Sequence, residues 1–173
     1  MISLSKISRG LALASFVLLA ACGGSEAAKP AVEKTVEDRF AIKVGGRTVQ
    51  MQVAALPEEM QKGLMFRQSM GTDEGMLFAY TSPTQLSFWM RNTEIPLNIG
   101  FFDATGELKE IYEMYPHDER PVAAHADNLQ YALEMNQGWY KQAGIKPGAK
   151  LDLAAVAEAL KARGLKPAAW GLR

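Results

Sequence analysis

The sequence predicts a mostly β protein: a compact sandwich or barrel-like single domain with one short internal helix and a C-terminal helix. About seven short segments alternate apolar and polar residues with the period of two that half-buried strands require. Turn-forming residues separate these segments, which is typical of a sandwich or a barrel. The length of 173 residues, of which 48% are hydrophobic and 22% charged, suits one globular domain.

The first two predicted strands form a hairpin. Apolar residues occupy alternate positions over residues 40–44 and 49–53, and Gly45-Gly46 between them is a strong two-residue turn signal. Five further strands are predicted over residues 75–80, 86–91, 97–101, 107–114 and 129–135.

Two helices are predicted outside the strands. Pro57 followed by two glutamates is typical of the first turn of a helix, which we expect to end near Leu64. Asp152 can cap a second helix over residues 153–163. Residues 115–128 contain two prolines and show no period, so they are predicted to form a loop.

The N-terminus is typical of a bacterial export signal. A basic start precedes an apolar run over residues 11–21, which is far shorter than the ~20 residues of a membrane-spanning helix. The run ends in LAAC at positions 19–22, which resembles the lipobox where signal peptidase II cuts before the cysteine. We therefore predict a signal peptide over residues 1–21 and a lipid anchor at Cys22. The alternative, a free thiol after ordinary cleavage, is disfavoured because an exposed thiol is reactive outside the cytoplasm.

The residues after Cys22 are small, charged and poor in apolar side chains. We therefore predict a flexible lipoprotein tether over residues 22–37 and the folded domain over residues 38–173. Gly23, where an inner-membrane lipoprotein of enterobacteria would carry Asp, resembles an outer-membrane sorting signal. The protein is thus expected to face the periplasm on a lipid anchor, in the outer membrane more than in the inner one.

Five apolar motifs interrupted by single polar residues follow one another in the domain. They are KGLMFR, EGMLF, FWMRNT, IPLNIGFFD and YALEMNQGW, within residues 47–153. Together they resemble the bacterial and archaeal family called domain of unknown function number 192, or DUF192. The resemblance implies a β-rich domain that is often exported or lipid-anchored, and it implies no activity. The family pattern more often has Asp where this chain has Asn98, and Asn98 cannot replace the charge of a metal ligand or a base.

Three charged residues lie in strongly apolar stretches of these motifs: Arg67, Arg91 and Glu134. Because an unpaired buried charge is very costly, Glu134 is predicted to form a buried salt bridge with one of the two arginines. In the functional interpretation, the arginines hold an anionic or hydroxylated ligand and Glu134 is an acceptor or the candidate catalytic acid/base. In the structural interpretation, the pair only stabilises the fold.

Aromatic side chains beside these charges suggest a stacking surface. Trp89, Trp139 and Tyr140 could each offer a face to a sugar ring. The ligand-binding residues predicted from sequence are Arg67, Trp89, Arg91, Asn92 and Glu134.

The composition argues against several other classes of function. The 19 basic and 19 acidic residues give no net charge, whereas a nucleic-acid-binding protein needs a basic surface. His117 and His125 match no zinc spacing, and the scattered methionines are more typical of core packing than of copper binding. The chain contains neither a GxSxG elbow nor a glycine-rich phosphate loop. No metal and no cofactor are therefore expected.

Three hypotheses on function remain open from the sequence. The favoured one is a non-catalytic, monomeric envelope lipoprotein that binds a glycan, a small molecule or an envelope protein. The second is a hydrolase or lyase of cell-envelope sugars with Glu134 as acid/base. That chemistry needs a second carboxylate ~5–10 Å away, for which Asp103 and Glu94 are the candidates. The third is a purely structural assembly factor without a pocket.

The lipid anchor yields a first testable prediction. Replacing Cys22→Ser removes the thiol that accepts the lipid, so the protein should move from the membrane to the soluble fraction. Cell fractionation measures the shift, and mass spectrometry of the N-terminus identifies the modification. The control Ser25→Ala should stay in the membrane, and an unmodified Cys22 in membrane-bound protein would contradict the prediction.

Overall fold

The computed structural model describes residues 33–173, so the predicted signal peptide and Cys22 lie outside the described residues. The part of the chain that it describes contains eight strands, three short helices and one 3-10 helix. None of the described helices combines the length and the apolar character needed to cross a bilayer. The elements are β1 (Phe40–Val44), β2 (Arg47–Ala54), α1 (Pro57–Lys62), β3 (Glu74–Thr84), β4 (Ser87–Phe88), β5 (Leu97–Asp103), β6 (Leu108–Met114), β7 (Val122–Ala123), β8 (Leu129–Asn136), α2 (Trp139–Gln142), α3 (Leu153–Ala162) and the 3-10 helix Pro167–Trp170.

The strands form one open sheet of six strands in the order β1-β2-β3-β8-β5-β6, and β4 pairs with β7 in a small second sheet. Neighbours in the large sheet are antiparallel except β2 and β3, which are parallel. The prediction of a compact, mostly β domain with one short internal helix and a C-terminal helix is confirmed. Asp152 caps α3 as expected, because its side chain accepts the backbone N–H of Ala155.

Two segments differ from the expectation. A strand was expected over residues 86–91, but only Ser87–Phe88 pair, because the chain turns at Arg91-Asn92 and the Met90 N–H donates to the carbonyl of Asp118. The predicted loop over residues 115–128 supplies the partner strand β7. Helix α2 and the 3-10 helix were not predicted, since four residues are too few to show a helical period.

The large sheet has two covered faces. On one face, Tyr131, Leu133 and Met135 of β8 pack against α2, α3 and the 3-10 helix. The opposite face, which includes Ala132, is covered by loops that carry Leu64, Leu86 and Met90. Glu134 alternates with Leu133 and therefore lies on this loop-covered face.

The parallel pair β2–β3 requires a crossover connection, which the chain makes over residues 55–73. This crossover contains α1 and the KGLMFR motif. Gly63 ends α1 with φ 48° and ψ −132°, a region that favours glycine. An added Cβ at this position would also lie 3.3 Å from the Phe78 ring, so the crossover depends on glycine here.

The folded contacts of the domain begin before Asp38, the start predicted from sequence. The Lys34 N–H donates to the carbonyl of Ala162. The buried Gln52 donates its amide to the carbonyl of Val36 at 2.8 Å and to the carboxylate of Glu37 at 3.2 Å. The last residues of the predicted tether therefore supply hydrogen-bond partners to the core.

A short segment near residue 150 connects the two edge strands at one end of the sheet. Val44 of β1 forms an isolated bridge with Leu151, and Glu107, next to β6, forms one with Lys150. The Gly45 N–H donates to the Lys150 carbonyl, and the Leu151 N–H donates to the carbonyl of Gly106. The sheet remains open elsewhere, but this end of both edges is paired.

A buried ion pair joins α3 to the crossover. Arg163, at the C-terminal end of α3, donates to the carboxylate of Glu59 and to the carbonyl of Val53. The Glu59 carboxylate also accepts the backbone N–H groups of Ala55 and Leu56, each at 3.0 Å. The side chains of Arg163 and Glu59 are only 4% and 12% exposed, so neither charge has access to much water.

We expect Glu59→Gln to destabilise the fold by about 3–5 kcal/mol, because it leaves the Arg163 charge buried without its partner. Urea unfolding of the wild type and the variant measures the loss. The matched control is Glu158→Gln, which removes a carboxylate from an exposed pair with Lys161. That control should change the free energy of unfolding by less than about 0.5 kcal/mol. Equal effects of the two variants would contradict a structural role of the buried pair.

Candidate functional site

A surface groove of 420 Å3 lies between the crossover and the turn after β4. Its lining brings together residues from two of the DUF192-like motifs, KGLMFR and FWMRNT. We call it the outer groove, and its residues are Glu58, Gln61, Lys62, Met65, Phe66, Trp89, Arg91 and Asn92.

Two aromatic side chains of the outer groove are exposed to solvent. Phe66 is 65% exposed and Trp89 is 45% exposed, although both belong to strongly apolar motifs. The guanidinium of Arg91 stands 5.8 Å from the centre of the Trp89 ring, within the range of a cation–π interaction. The groove thus offers apolar ring surface next to a positive charge, a combination that suits a ligand with both polar and apolar parts.

The backbone of the groove is held in an unusual conformation. Phe66 has φ 63°, a region that bulky residues rarely adopt, whereas Asn92, at φ 53°, is of a type that tolerates this region. The Phe66 N–H donates to the Asn92 carbonyl at 2.7 Å, which ties the two motifs together at this point. Such strain is concentrated at functional sites in proteins, where the surrounding structure maintains it.

A smaller cavity of 140 Å3 adjoins the outer groove, and we call it the inner cavity. The two share Gln61, Lys62, Met65 and Trp89. The lining of the inner cavity combines aromatic and apolar side chains with polar ones, and its single acidic residue is Glu134. Its other lining residues are Met60, Gly63, Leu64, Phe78, Tyr80, Ser87, Phe88 and Thr93.

Glu134 is the most unusual charged residue of the site. It lies in β8 between Met76 of β3 and Ile99 of β5, and it is only 5% exposed. No described residue forms a salt bridge or a side-chain hydrogen bond with its carboxyl group. Burial therefore acts alone and raises the pKa of Glu134 to about 8. At neutral pH the carboxyl group holds its proton for most of the time.

The predicted salt bridge between Glu134 and an arginine is wrong. Arg67 donates to the side-chain oxygen of Gln52 at 2.6 Å and lines a separate pocket beside Glu37. Arg91 lies in the outer groove over Trp89. The sequence showed correctly that Glu134 is buried, but it did not reveal that the arginines have other partners.

Of the five predicted ligand-binding residues, the structure brings together Trp89, Arg91 and Asn92 in the outer groove. Glu134 lies in the adjoining inner cavity, which Trp89 also lines. Arg67 is not part of either lining.

Trp139 and Tyr140 do not offer stacking faces to this site. They are 3% and 2% exposed and belong to the core on the helix-covered face of the sheet. The Trp139 ring N–H donates to Asp73, and the Tyr140 hydroxyl donates to the carbonyl of Leu133. Both aromatic residues therefore stabilise the fold.

Asn98 uses both ends of its amide within the fold. Its nitrogen donates to the carbonyl of Tyr112 at 3.2 Å, and its oxygen accepts the Gly138 N–H at 2.6 Å. A carboxylate could make only the second of these bonds, because it has no N–H to donate. The amide at this position therefore has a structural role.

Neither candidate for a second catalytic carboxylate is well placed. Asp103 lies four residues along β5 from Ile99, the neighbour of Glu134, which is about 13 Å at strand spacing. Its carboxylate accepts the N–H groups of Thr105 and Glu107, so it stabilises a turn. Burial raises the pKa of Asp103, but the hydrogen bond from the Thr105 hydroxyl, these N–H groups and Lys109 outweigh it and lower the pKa to about 2.

Glu94, the other candidate, is exposed and lies 3.1 Å from Nε2 of His117. Within residues 33–173, no group of three or more His, Cys, Asp or Glu side chains could hold a metal ion.

Sequence reasoning missed Phe66 and Tyr80 as site residues. Both lie in apolar segments, where composition predicts burial, and nothing in the pattern distinguishes an exposed Phe66 from a core residue. The one available signal was that KGLMFR is followed by no clear strand or helix period. Tyr80 lines the inner cavity, and its pKa is raised by burial and by the nearby negative charge of Glu134.

The comparisons with known proteins identify relatives of uncharacterised function. The DUF192 family model, described as "Uncharacterized ACR", matches residues 40–153. A solved structure from Novosphingobium aromaticivorans, a protein of unknown function, has a TM-score of 0.61 and 38% identity, over 64% of this chain and 82% of its own. Another from Sinorhizobium meliloti 1021, described as "a putative transcription regulator", has a TM-score of 0.62 and 31% identity, over 67% and 96%. No curated protein matches the chain.

The buried carboxyl group predicts a pH-dependent stability. The pKa of Glu134 is about 8 in the folded state and 4.5 ordinarily, so between these values only the folded state keeps the proton. Stability is therefore lost as the pH rises through this window, by about 1.4 kcal/mol per pH unit. Glu134→Gln has no proton to lose, so its free energy of unfolding should equal that of the wild type near pH 4 and exceed it near pH 8.

Urea unfolding at pH 4, 6 and 8 measures the difference between the variant and the wild type. Glu119→Gln is the matched control, because Glu119 is exposed and its replacement should give a small, constant difference. A difference between Glu134→Gln and the wild type that stays constant with pH would show that Glu134 has the same pKa in the folded and unfolded states, and would contradict the raised pKa.

Proposed function

The chain belongs to the DUF192 family, and we propose that its domain is a membrane-anchored ligand-binding module of the bacterial envelope. The binding site is the outer groove together with the inner cavity. The ligand is a small molecule or a glycan end that places one group in the inner cavity and an apolar face against Phe66 and Trp89. The LAAC sequence at positions 19–22 supports the lipid anchor and a domain that faces the periplasm.

One observation carries this proposal. The Glu134 carboxyl group is buried without a partner among the described residues, and it lines a cavity that adjoins an exposed groove. Since no described protein group bonds this carboxyl group, a ligand that enters the cavity can supply a hydrogen-bond partner for it. The exposed aromatic rings and the strained backbone of the groove support the same conclusion.

The two rival hypotheses receive less support. A raised pKa is what a general acid needs, and this favours an acid/base role of Glu134. However, glycosidic cleavage needs a second carboxylate, while Asp103 is too distant and Glu94 faces His117. A purely structural factor would need neither the cavity nor the exposed rings.

The charge of this chain does not favour a role in transcription regulation, the role named in the description of the Sinorhizobium relative. A DNA-binding surface needs an excess of positive charge to neutralise phosphates. This chain has no net charge, and in the outer groove the basic residues Arg91 and Lys62 stand with the acidic Glu58.

A fragment screen by NMR tests the proposal on the secreted Cys22→Ser chain. Small polar fragments and mono- and disaccharides are titrated, and amide shifts identify the binding surface. We expect the shifts to concentrate on residues 58–66 and 88–93. Trp89→Ala should weaken the binding of these compounds about tenfold, because it removes the shared aromatic wall.

Tyr115→Ala is the control for a general loss of exposed aromatic surface. Tyr115 is 53% exposed and lines neither the outer groove nor the inner cavity, so its removal should leave the affinities unchanged. Shifts scattered over the surface, or equal losses in the two variants, would contradict the proposed site.

A further inference from the structure

We propose that the inner cavity binds an alkylated ammonium group, such as the trimethylammonium end of a choline-type ligand. This inference rests on the proposed function, because it names the chemical group that the inner cavity accepts. The ligand's cation lies against the aromatic lining and next to the Glu134 carboxylate, while its remainder extends into the outer groove.

The lining of the cavity has the composition of a cation site. Four aromatic residues, Phe78, Tyr80, Phe88 and Trp89, come together around one acid. The rings of Phe78 and Phe88 are 4.9 Å apart and nearly perpendicular, so they form a fixed corner. Aromatic faces attract cations through their negative quadrupole, and cages of such rings recognise quaternary ammonium groups.

The size of the inner cavity suits such a group. Its volume is 140 Å3. An engineered protein cavity of about 150 Å3 holds a molecule of benzene, and a trimethylammonium group is comparable in bulk. Because a quaternary ammonium has no N–H to donate, its recognition depends on aromatic faces and a negative charge and not on hydrogen-bond acceptors.

The basic side chains near the cavity have other partners, so they do not neutralise the charge of Glu134. Lys62 lines the cavity, but its ammonium group pairs with Glu37 at 3.3 Å. Arg91 lies over Trp89 in the outer groove. The other titratable groups near Glu134 are the hydroxyls of Tyr80 and Tyr140, and burial raises the pKa of each. Glu134 is therefore the group that can supply the negative charge.

Binding has a defined proton balance. Without ligand at neutral pH, the Glu134 carboxyl group is mostly protonated, since its pKa is about 8. When the cation enters, the proton passes to solvent and the carboxylate is stabilised by the new charge next to it. Affinity should therefore rise by up to tenfold per pH unit below pH 8 and level off above it.

The test compares choline with its uncharged isostere, 3,3-dimethylbutan-1-ol. Each compound is titrated at pH 6, 7 and 9 into the secreted Cys22→Ser chain, and cavity amides are followed by NMR. We expect choline to bind at least tenfold more tightly than the alcohol at pH 9. The preference for choline should shrink at pH 6.

Glu134→Gln keeps the shape and removes the charge, so it should reduce the preference for choline to the part that the aromatic rings supply and abolish its dependence on pH. Glu119→Gln is the matched control and should retain both. If Glu134→Gln folds poorly, the comparison of choline with the alcohol still decides the question, because it uses a chain whose cavity residues are unaltered.

Two outcomes would overturn the inference. If the alcohol binds in the inner cavity as tightly as choline, the cavity is a ligand site without cation preference, and the proposed function stands. If choline does not bind at all, the inference fails, and the fragment screen of the outer groove then decides separately on the proposed function.

Discussion

The buried pair between Glu59 and Arg163 determines where the site stands on the sheet. The Glu59 carboxylate accepts two backbone N–H groups where the chain leaves β2, and this fixes the direction of α1. Arg163 holds the same carboxylate from the end of α3. Because α1 leads directly into the residues that line both the outer groove and the inner cavity, the position of these residues follows from the pair.

Two buried carboxyl groups thus have opposite roles in one small domain. Glu59 is surrounded by donors, so its charge is neutralised and its contribution is structural. Glu134 has no donor among the described residues, so burial keeps it protonated and leaves its bonding capacity unused. Glu134 is buried, whereas the Glu59 side chain is 12% exposed, so the two groups differ both in depth and in their neighbouring donors. Keeping the Glu134 carboxyl group buried without a donor lowers the stability of the fold.

The parts of the fold that the sequence predicts are those set by local chemistry. The alternation in β1 and β2, the glycine turn between them and the Asp152 cap each depend on residues close in the chain. The parallel pairing of β2 with β3 depends on how the crossover packs, and no local pattern specifies it.

The sequence predicts which residues belong to the candidate site better than it predicts the contacts that they make. The apolar context correctly indicated that Glu134 is buried. It did not indicate that Arg67 bonds Gln52 of β2 and is therefore not available to Glu134. Composition also predicts burial for Phe66, whereas the turn that exposes it depends on a hydrogen bond to Asn92, 26 residues later.

The bridges made by Lys150 and Leu151 have a consequence for how separate molecules of this protein meet. An open sheet presents unpaired N–H and carbonyl groups along its two outer strands, and these can recruit a strand from a neighbouring molecule. Here one end of both outer strands is already occupied by the protein's own backbone. The remaining length of β6 carries the exposed Glu113, a charged residue of the kind that opposes the approach of another strand. The same segment that holds the sheet ends together thereby limits the pairing of one molecule's sheet with that of another.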